Sequence, residues 1–236
     1  MIYILLPLAA VSAALHIRGE YSGRRQQVYM FKPLTMVIIF LIALLGQEAA
    51  PAYRYLILGG LIASIGGDVF LMLPSDRFVA GLVAFLIAHL FYIAAFASEI
   101  TVLVWWPLIP LAAFGLIFYL ILAGSLGKMQ LPVLVYIIVI LLMTWLACTR
   151  LLQPGEAVGT AVQAAQNGVL QAFAHAGPAA QSGAFLACIG AVLFVISDAV
   201  LALNRFKGSF RAAALLNLST YFAAQALIAG SLGLLA

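Results

Sequence analysis

The sequence predicts an all-α protein, a polytopic transmembrane helix bundle of about eight spans. Of its 236 residues, 66% are hydrophobic and only 8% are charged, whereas soluble domains contain about 25% charged residues. The mean hydropathy of +1.19 excludes a water-facing surface over most of the chain. Since one span takes roughly 20 apolar residues, about eight spans fill the chain and leave no room for a soluble domain. We therefore interpret 1–236 as a single transmembrane helical domain.

Apolar runs give the individual spans. We place them at 2–17, 33–46, 54–73, 78–97, 102–122, 132–151, 184–203 and 213–234. The second is short, and a start near Tyr29 is the alternative. The stretch 153–182 is rich in Ala, Gly and Gln, and we interpret it as an outside loop or insertion. No basic residue precedes the apolar residues 1–15 and no clear cleavage site follows them, so we do not expect a removed signal peptide.

Lysines and arginines are divided unequally between the two sets of loops. One set carries Arg18, Arg24, Arg25, Lys32, Arg77, Lys128, Arg205, Lys207 and Arg211. The opposite set carries only Arg54 and Arg150. Because basic residues concentrate in cytoplasmic loops, we expect the first set in the cytoplasm and both termini outside, in a bacterial inner membrane. The net charge of +4 then reflects topology, and we expect no nucleic-acid partner.

Two aspartates, Asp68 and Asp198, lie inside predicted spans. A carboxylate at the bilayer centre costs roughly 2.5–3.5 kcal/mol on insertion scales, so such residues usually face the bundle interior and serve a function. The alternative is a pair of packing carboxylates satisfied by their neighbours. Each lies about five residues before its predicted cytoplasmic end, roughly 7–8 Å inside that boundary. We expect a shared pocket in which one carboxyl stays protonated and the pair performs general acid–base chemistry.

Both aspartates begin the same short sequence, D-x-x-L-x-L, and an Arg-Phe pair follows each of them. The two segments are four predicted spans apart and run in the same direction. This pattern suggests two parallel four-helix repeats, a type known in membrane bundles. Because the match is short, chance similarity is the alternative.

Other polar residues cluster near the predicted cytoplasmic side. Lys32, Asn204 and Arg205 stand at helix ends, where Arg and Lys could hold a phosphate. The alternative is anchoring of the spans at the membrane surface by snorkelling side chains.

Two pairs of polar residues lie deeper, each on one helix face. They are His89 with Tyr92 on the fourth span and Tyr221 with Gln225 on the eighth. We expect them to line the pocket, although a lone buried histidine is often only a packing residue.

Several chemistries lack their sequence signals. No HExxH or paired-cysteine spacing is present, so we expect no metal. No phosphate-binding glycine loop is present, and we expect no cofactor. We interpret Cys148 and Cys188 as small apolar residues, with pairing as the alternative.

Taken in order, the motifs resemble the YhhN family of membrane proteins, which includes the lysoplasmalogenases. The matching segments are Lys32-Pro33-Leu34-Thr35, Gly67 to Met72, Gly81 to Tyr92, Ser197 to Phe206, and Tyr221 with Ala224-Gln225. The resemblance covers 32–225, nearly the whole chain. The stretch 153–182 departs from the family's compact pattern.

The resemblance implies a hydrolase that cleaves the vinyl-ether bond of lysoplasmalogens. The products would be a fatty aldehyde and a glycerophosphoethanolamine or glycerophosphocholine. Asp68 and Asp198 would be catalytic, one as the acid and one stabilising the cation, without an assignment of which is which. Lys32 and Arg205 would hold the phosphate at the cytoplasmic interface, and the apolar chain would run up between the helices toward His89. A proton-coupled carrier of a lipid-like or small amphiphilic solute is the main alternative, and a non-catalytic scaffold is the third.

Overall fold

The computed structural model describes residues 2–46, 49–153 and 178–233. Within these ranges the chain forms eight α-helices and one short 3-10 turn, without strands. The helices are α1 Ile2–Tyr21, α2 Arg25–Leu45, α3 Pro51–Met72, α4 Phe78–Ser98, α5 Leu108–Leu126, α6 Gln130–Leu151, α7 Pro178–Phe206 and α8 Ala213–Gly230. The all-α prediction is confirmed for the described residues. Most of the predicted loop at 153–182 lies outside them.

Six stretches are long and apolar enough to cross a membrane. They are Arg25–Leu45, Pro51–Met72, Phe78–Ser98, Leu108–Leu151, Ser182–Phe206 and Ala213–Gly230. The stretch Leu108–Leu151 is 44 residues long and contains both α5 and α6. The protein is therefore a multi-pass integral membrane protein. The count of about eight spans remains a prediction, because α1 is not one of the six stretches.

Helix α2 begins at Arg25, eight residues before the predicted start at 33, and Pro33 lies inside it. A proline removes one backbone donor, which membrane helices tolerate where side chains and neighbouring helices satisfy the freed groups. The carbonyl that Pro33 leaves without its donor is that of Tyr29, four residues earlier. Close to it, the hydroxyls of Thr35 and Ser12 both donate to the carbonyl oxygen of Phe31, at 2.7 and 3.3 Å, and the Ser12 bond joins α1 to α2. Apolar periodicity alone therefore placed this start too late.

Helix α5 begins at Leu108 rather than 102, because Pro107 occupies its N-cap position. Helix α7 extends to Phe206, three residues beyond the predicted end. Asp68 is therefore four residues from the end of α3, whereas Asp198 is eight residues from the end of α7. The prediction that each aspartate lies about five residues before the cytoplasmic end of its helix holds for Asp68 and is wrong for Asp198.

The helices pack as four sequential antiparallel pairs: α1 with α2, α3 with α4, α5 with α6, and α7 with α8. Helix α2 also packs on α3 and α8, and α6 also packs on α4 and α7. Two glycines, each eight residues before an aspartate, mark close approaches: Gly60 lies against the Tyr92 ring, and Gly190 lies against Ala224 and Ile228. Helix α5 is peripheral, and in the described part of the chain it does not pack on α4.

The two cysteines meet between α6 and α7. The Sγ atoms of Cys148 and Cys188 are 3.1 Å apart, and both thiols are free. The alternative interpretation, pairing, correctly has them as neighbours, although no disulfide joins them.

Candidate functional site

Asp68 is a buried carboxylate with two partners from two other helices. Its side chain is only 2% exposed. The Nζ atom of Lys32, on α2, lies 3.1 Å from Oδ1, and the Tyr221 hydroxyl, on α8, donates to Oδ2 at 2.7 Å. A buried charge is tolerated only when it is paired and hydrogen-bonded, and this arrangement satisfies both conditions.

Asp198 has a different environment. The Tyr136 hydroxyl, on α6, donates to its Oδ2 atom at 2.5 Å. Within the described ranges, no lysine or arginine forms an ion pair with it. The residue is half-buried. Asp198 is therefore bound by a neutral hydroxyl, that of Tyr136, whereas Asp68 is also paired with the Lys32 ammonium.

Of the deeper polar residues, Tyr92 and Gln225 lie on the side of Asp68, and His89 lies on the side of Asp198. The Tyr92 hydroxyl donates to Oε1 of Gln225 at 2.7 Å, on the same helix as Tyr221. The ring of His89 packs edge-on against Tyr136, with ring centroids 5.2 Å apart. Both ring nitrogens of His89 are buried and have no hydrogen-bond partner among the described residues. His89 thus lies beside the partner of Asp198 and does not touch either carboxylate by a hydrogen bond.

Arg205 and Asn204 lie at the end of α7, at the rim of the bundle. The Nη2 atom of Arg205 lies 2.6 Å from Oδ2 of Asp76, and its guanidinium stacks over the Phe78 ring at 4.9 Å. This hydrogen bond lowers the pKa of the Asp76 carboxyl, which lies in the α3–α4 loop. The side-chain oxygen of Asn204 accepts from the backbone of Phe210 at 3.4 Å. Arg205 therefore already has an acidic partner that a phosphate would share or displace.

A polar cavity of about 430 Å³ opens at this end of the bundle. Its wall includes Lys32, Asn204 and Arg205, which the sequence singled out, and Arg77 and Asn217. The lining carries three basic side chains and two acidic ones, Glu20 and Asp76, so its net charge is positive by one, which favours an anionic group in this cavity.

A second cavity is an apolar groove between α4, α5, α6 and α7. It shares Leu71, Phe78 and Leu201 with the polar cavity, so the two cavities adjoin. Asp198 and Tyr136 lie on its wall. The combination of a basic polar cavity and an apolar groove matches a molecule with an anionic head and a hydrocarbon tail.

Sequence reasoning missed two residues of this region, Tyr136 and Asn217. Tyr136 is a polar residue near the middle of a strongly apolar run, which is a usable signal. Asn217 exchanges hydrogen bonds with the neighbour of Asp198: its Nδ2 donates to the Ser197 carbonyl at 2.9 Å, and the Ser197 hydroxyl donates to the Asn217 carbonyl at 3.0 Å. An asparagine at the start of an apolar helix gives no such signal, because the same residue type is common near helix ends.

The fold and these contacts define a class, a multi-pass α-helical membrane protein with two carboxylates inside its helix bundle. The chain belongs to the YhhN family, which it matches over residues 27–232. It is 32% identical over 226 residues to the uncharacterized membrane protein YhhN of Escherichia coli O6:H1, covering 94% of this chain and 95% of the relative. The resemblance inferred from the ordered motifs is therefore confirmed.

Mammalian relatives carry the name of an enzyme. Lysoplasmalogenase TMEM86B of Mus musculus is 30% identical over 204 residues, covering 84% of this chain and 70% of the relative. Lysoplasmalogenase TMEM86B of Homo sapiens is 32% identical over 182 residues, covering 75% and 62%. No solved structure matches the chain significantly.

Proposed function

We propose that the protein is a membrane hydrolase that cleaves the vinyl-ether bond of lysoplasmalogens to a fatty aldehyde and a glycerophospho-alcohol. The observation that carries the proposal is the position of Asp198, on the wall of an apolar groove that adjoins a basic polar cavity. The names of the mammalian relatives support the same reaction.

The chemistry requires an acid, a negative charge and one water molecule. A vinyl ether is broken by protonation of the alkene carbon remote from the oxygen, which leaves an oxocarbenium ion that water captures. A positioned carboxyl can supply that proton, and a second carboxylate can stabilise the cation. Asp68 and Asp198 are suited to these two roles because both lie in the bundle and both are held by tyrosines.

Lys32 and Arg205 are the residues we expect to contact the phosphate. Both line the polar cavity, and Lys32 also holds Asp68, so it would link headgroup binding to the carboxylate. Tyr221 would position Asp68. His89 would act one layer further away, by packing against Tyr136, and the hydrogen-bonded pair of Tyr92 and Gln225 would act beside Tyr221, one turn along α8 from Gln225.

We further propose eight spans arranged as two parallel repeats, with the polar cavity on the cytoplasmic face of the plasma membrane and both termini outside. The packing supports the repeat, since α2 lies on α3 and α8 in the way that α6 lies on α7 and α4. The equal spacing of Gly60 and Gly190 from their aspartates supports it as well. The excess of basic residues in the loops on that face supports the orientation.

Replacement of each aspartate tests the reaction. We expect Asp68→Asn and Asp198→Asn each to lower aldehyde release from a 1-alkenyl lysophosphatidylethanolamine by about 10²–10⁴-fold, the range of general acid–base catalysis. The measurement uses the purified full chain in detergent micelles. Glu99→Gln, at an exposed position in the loop after α4, is the matched control and should retain full activity.

Retained activity in both aspartate variants would overturn the proposal. Absence of cleavage by the unmodified chain, together with movement of the lysolipid across proteoliposomes, would favour a carrier instead, because intramembrane carboxylates also serve proton relays.

A further inference from the structure

The apolar groove is lined almost entirely by hydrocarbon. Its wall includes Phe85, Phe114, Phe118, Leu141 and Val195. Among the described residues that line it, only Tyr136 and Asp198 carry a polar side-chain atom, and these two are hydrogen-bonded to each other. A groove of this composition favours a hydrocarbon chain over any polar ligand.

We propose that this groove takes the hydrocarbon chain of the lysolipid and presents the vinyl group at its head to Asp198, which is the proton donor. This inference rests on the proposed function and adds the placement of the substrate and the division of labour between the aspartates.

The spacing along α7 suits such a molecule. Arg205 and Asp198 are seven residues apart, about 10 Å along the helix axis. The phosphorus and the vinyl carbon of a lysoplasmalogen are joined by about six bonds, roughly 7 Å when extended at the dimensions of an extended chain. The reach of the Arg205 side chain covers the difference. A phosphate in the polar cavity therefore places the vinyl group near Asp198.

The groove continues beyond Asp198, away from the polar cavity. Val195 precedes Asp198 by three residues on α7, and Leu141 follows Tyr136 by five residues on α6. These two residues therefore lie about 5–8 Å further from the polar cavity than Asp198 and Tyr136 do. Phe114 also lines the groove and is 42% exposed. The first carbons of the chain would be enclosed by protein, and the remainder would pass between α4 and α5, which do not pack on each other in the described ranges, toward lipid.

The partners of the two carboxyls assign the donor. The charge of Asp68 is compensated by the Lys32 ammonium. Asp198 has no such compensation and faces hydrocarbon, where an unpaired charge is costly, so it is the carboxyl that holds a proton. Asp68 remains the carboxylate that stabilises the developing cation at longer range.

The atoms then balance as follows. The Asp198 carboxyl gives its proton to the vinyl carbon remote from the oxygen, and the alkene electron pair forms the new C–H bond. Water from the polar cavity adds to the oxygen-bearing carbon and returns a proton to Asp198. The hemiacetal breaks its carbon–oxygen bond, giving the aldehyde, while the glycerol oxygen takes the hydroxyl proton.

A non-hydrolysable photoprobe tests occupancy without catalysis. The probe is a 1-O-alkyl lysophosphatidylethanolamine with a diazirine about four carbons from the ether, applied to the full chain in bilayer nanodiscs. We expect crosslinks on the groove-lining residues of α5 and α6, and competition by the unlabelled lipid. We expect Val195→Phe, which fills the groove, to lower this labelling about tenfold.

The same substitution on the lipid-facing side of α7 is the matched control. Val192 is 38% exposed and lies one turn from Val195, so Val192→Phe should leave labelling unchanged. Ala202→Leu, at a half-buried position on the groove wall, gives a second test if Val195→Phe does not fold. Labels spread over lipid-facing positions, and equally in all variants, would overturn the inference.

Cleavage assays separate this inference from the proposed function. We expect Val195→Phe to lower kcat/KM for a chain of about 16 carbons tenfold, and for a butenyl ether less than about threefold. Groove labelling without any aldehyde release would refute the hydrolase and leave the chain-binding groove standing. Aldehyde release without groove labelling would refute the groove alone.

Discussion

The two aspartates follow the same sequence motif but lie in different surroundings. Asp68 is fully buried and bound by a lysine and a tyrosine, whereas Asp198 is half-buried and bound by a tyrosine alone. The helices beside them also differ. Helix α1 packs on both α2 and α8 and closes the Asp68 side, whereas α5 packs on α6 and α7 without reaching α4 in the described residues. The position of α5 therefore leaves an open apolar groove beside Asp198, whereas α1 covers the helices that hold the charged cluster of Asp68.

The largest expected effect comes from removing the cation that pairs with Asp68. Lys32→Met leaves the Asp68 carboxylate buried and unpaired, which typically costs about 3–5 kcal/mol of unfolding free energy. The measurement is denaturant unfolding of the detergent-solubilised chain. Lys207→Met, at an exposed position in the α7–α8 loop, is the control and should change little.

A second substitution sharpens that result. Adding Asp68→Asn to Lys32→Met removes the unpaired charge, so the double variant should recover most of the lost stability. If the double variant is less stable than Lys32→Met, the loss does not come from the ion pair.

The two tyrosines offer a matched comparison of intermediate size. Tyr221→Phe leaves one oxygen of a buried carboxylate without its donor, and we expect a loss of about 1–3 kcal/mol. Tyr136→Phe removes the equivalent bond from Asp198, which we propose to be protonated, and a neutral carboxyl loses less than a buried carboxylate, so the stability loss should be smaller. Its effect should appear instead in kcat. Equal losses of unfolding free energy in the two variants would show that the surroundings of Asp68 and Asp198 do not differ in this respect.

The smallest effect concerns the exposed pair of Asp76 and Arg205. Because the folded-state pKa of Asp76 is lowered, its contribution to stability is present above its ordinary pKa of 3.8 and is lost as the pH falls through the lower folded value. Asp76→Asn should therefore lower the stability at pH 7 only slightly. The small loss of stability that the unmodified chain shows below pH 4, as Asp76 is protonated, should be missing in the variant. Thermal unfolding at pH 7 and pH 3 measures both. A large loss at pH 7 would contradict the exposed character of this pair.

The sequence predicted much of the fold because a bilayer makes apolar runs easy to recognise. Each of the eight predicted spans overlaps one described helix, and the larger boundary errors occur at prolines: Pro33 lies within a helix and Pro107 precedes one. Apolar runs alone do not show that α2 continues through Pro33 back to Arg25, because the residues before this proline include charged and amide side chains.

The site was less accessible to sequence reasoning. The two aspartates are conspicuous because charge is rare in a span. Their partners are not, since the pairing of Lys32 with Asp68 depends on α2 lying against α3, and that of Tyr136 with Asp198 on α6 lying against α7. Tertiary packing decides both, and no local spacing encodes them. The residue-by-residue roles remain predictions that the variants above test.

The gap between α4 and α5 has a consequence for how this protein meets its ligand. A molecule that enters sideways is drawn from the two-dimensional pool of the membrane, so its mole fraction in lipid, and not its bulk molarity, sets the rate of encounter. Diluting an amphiphile with inert detergent at fixed total amount should slow any reaction at Asp198. In a cell, local membrane composition would then control throughput without any change in the amount of protein.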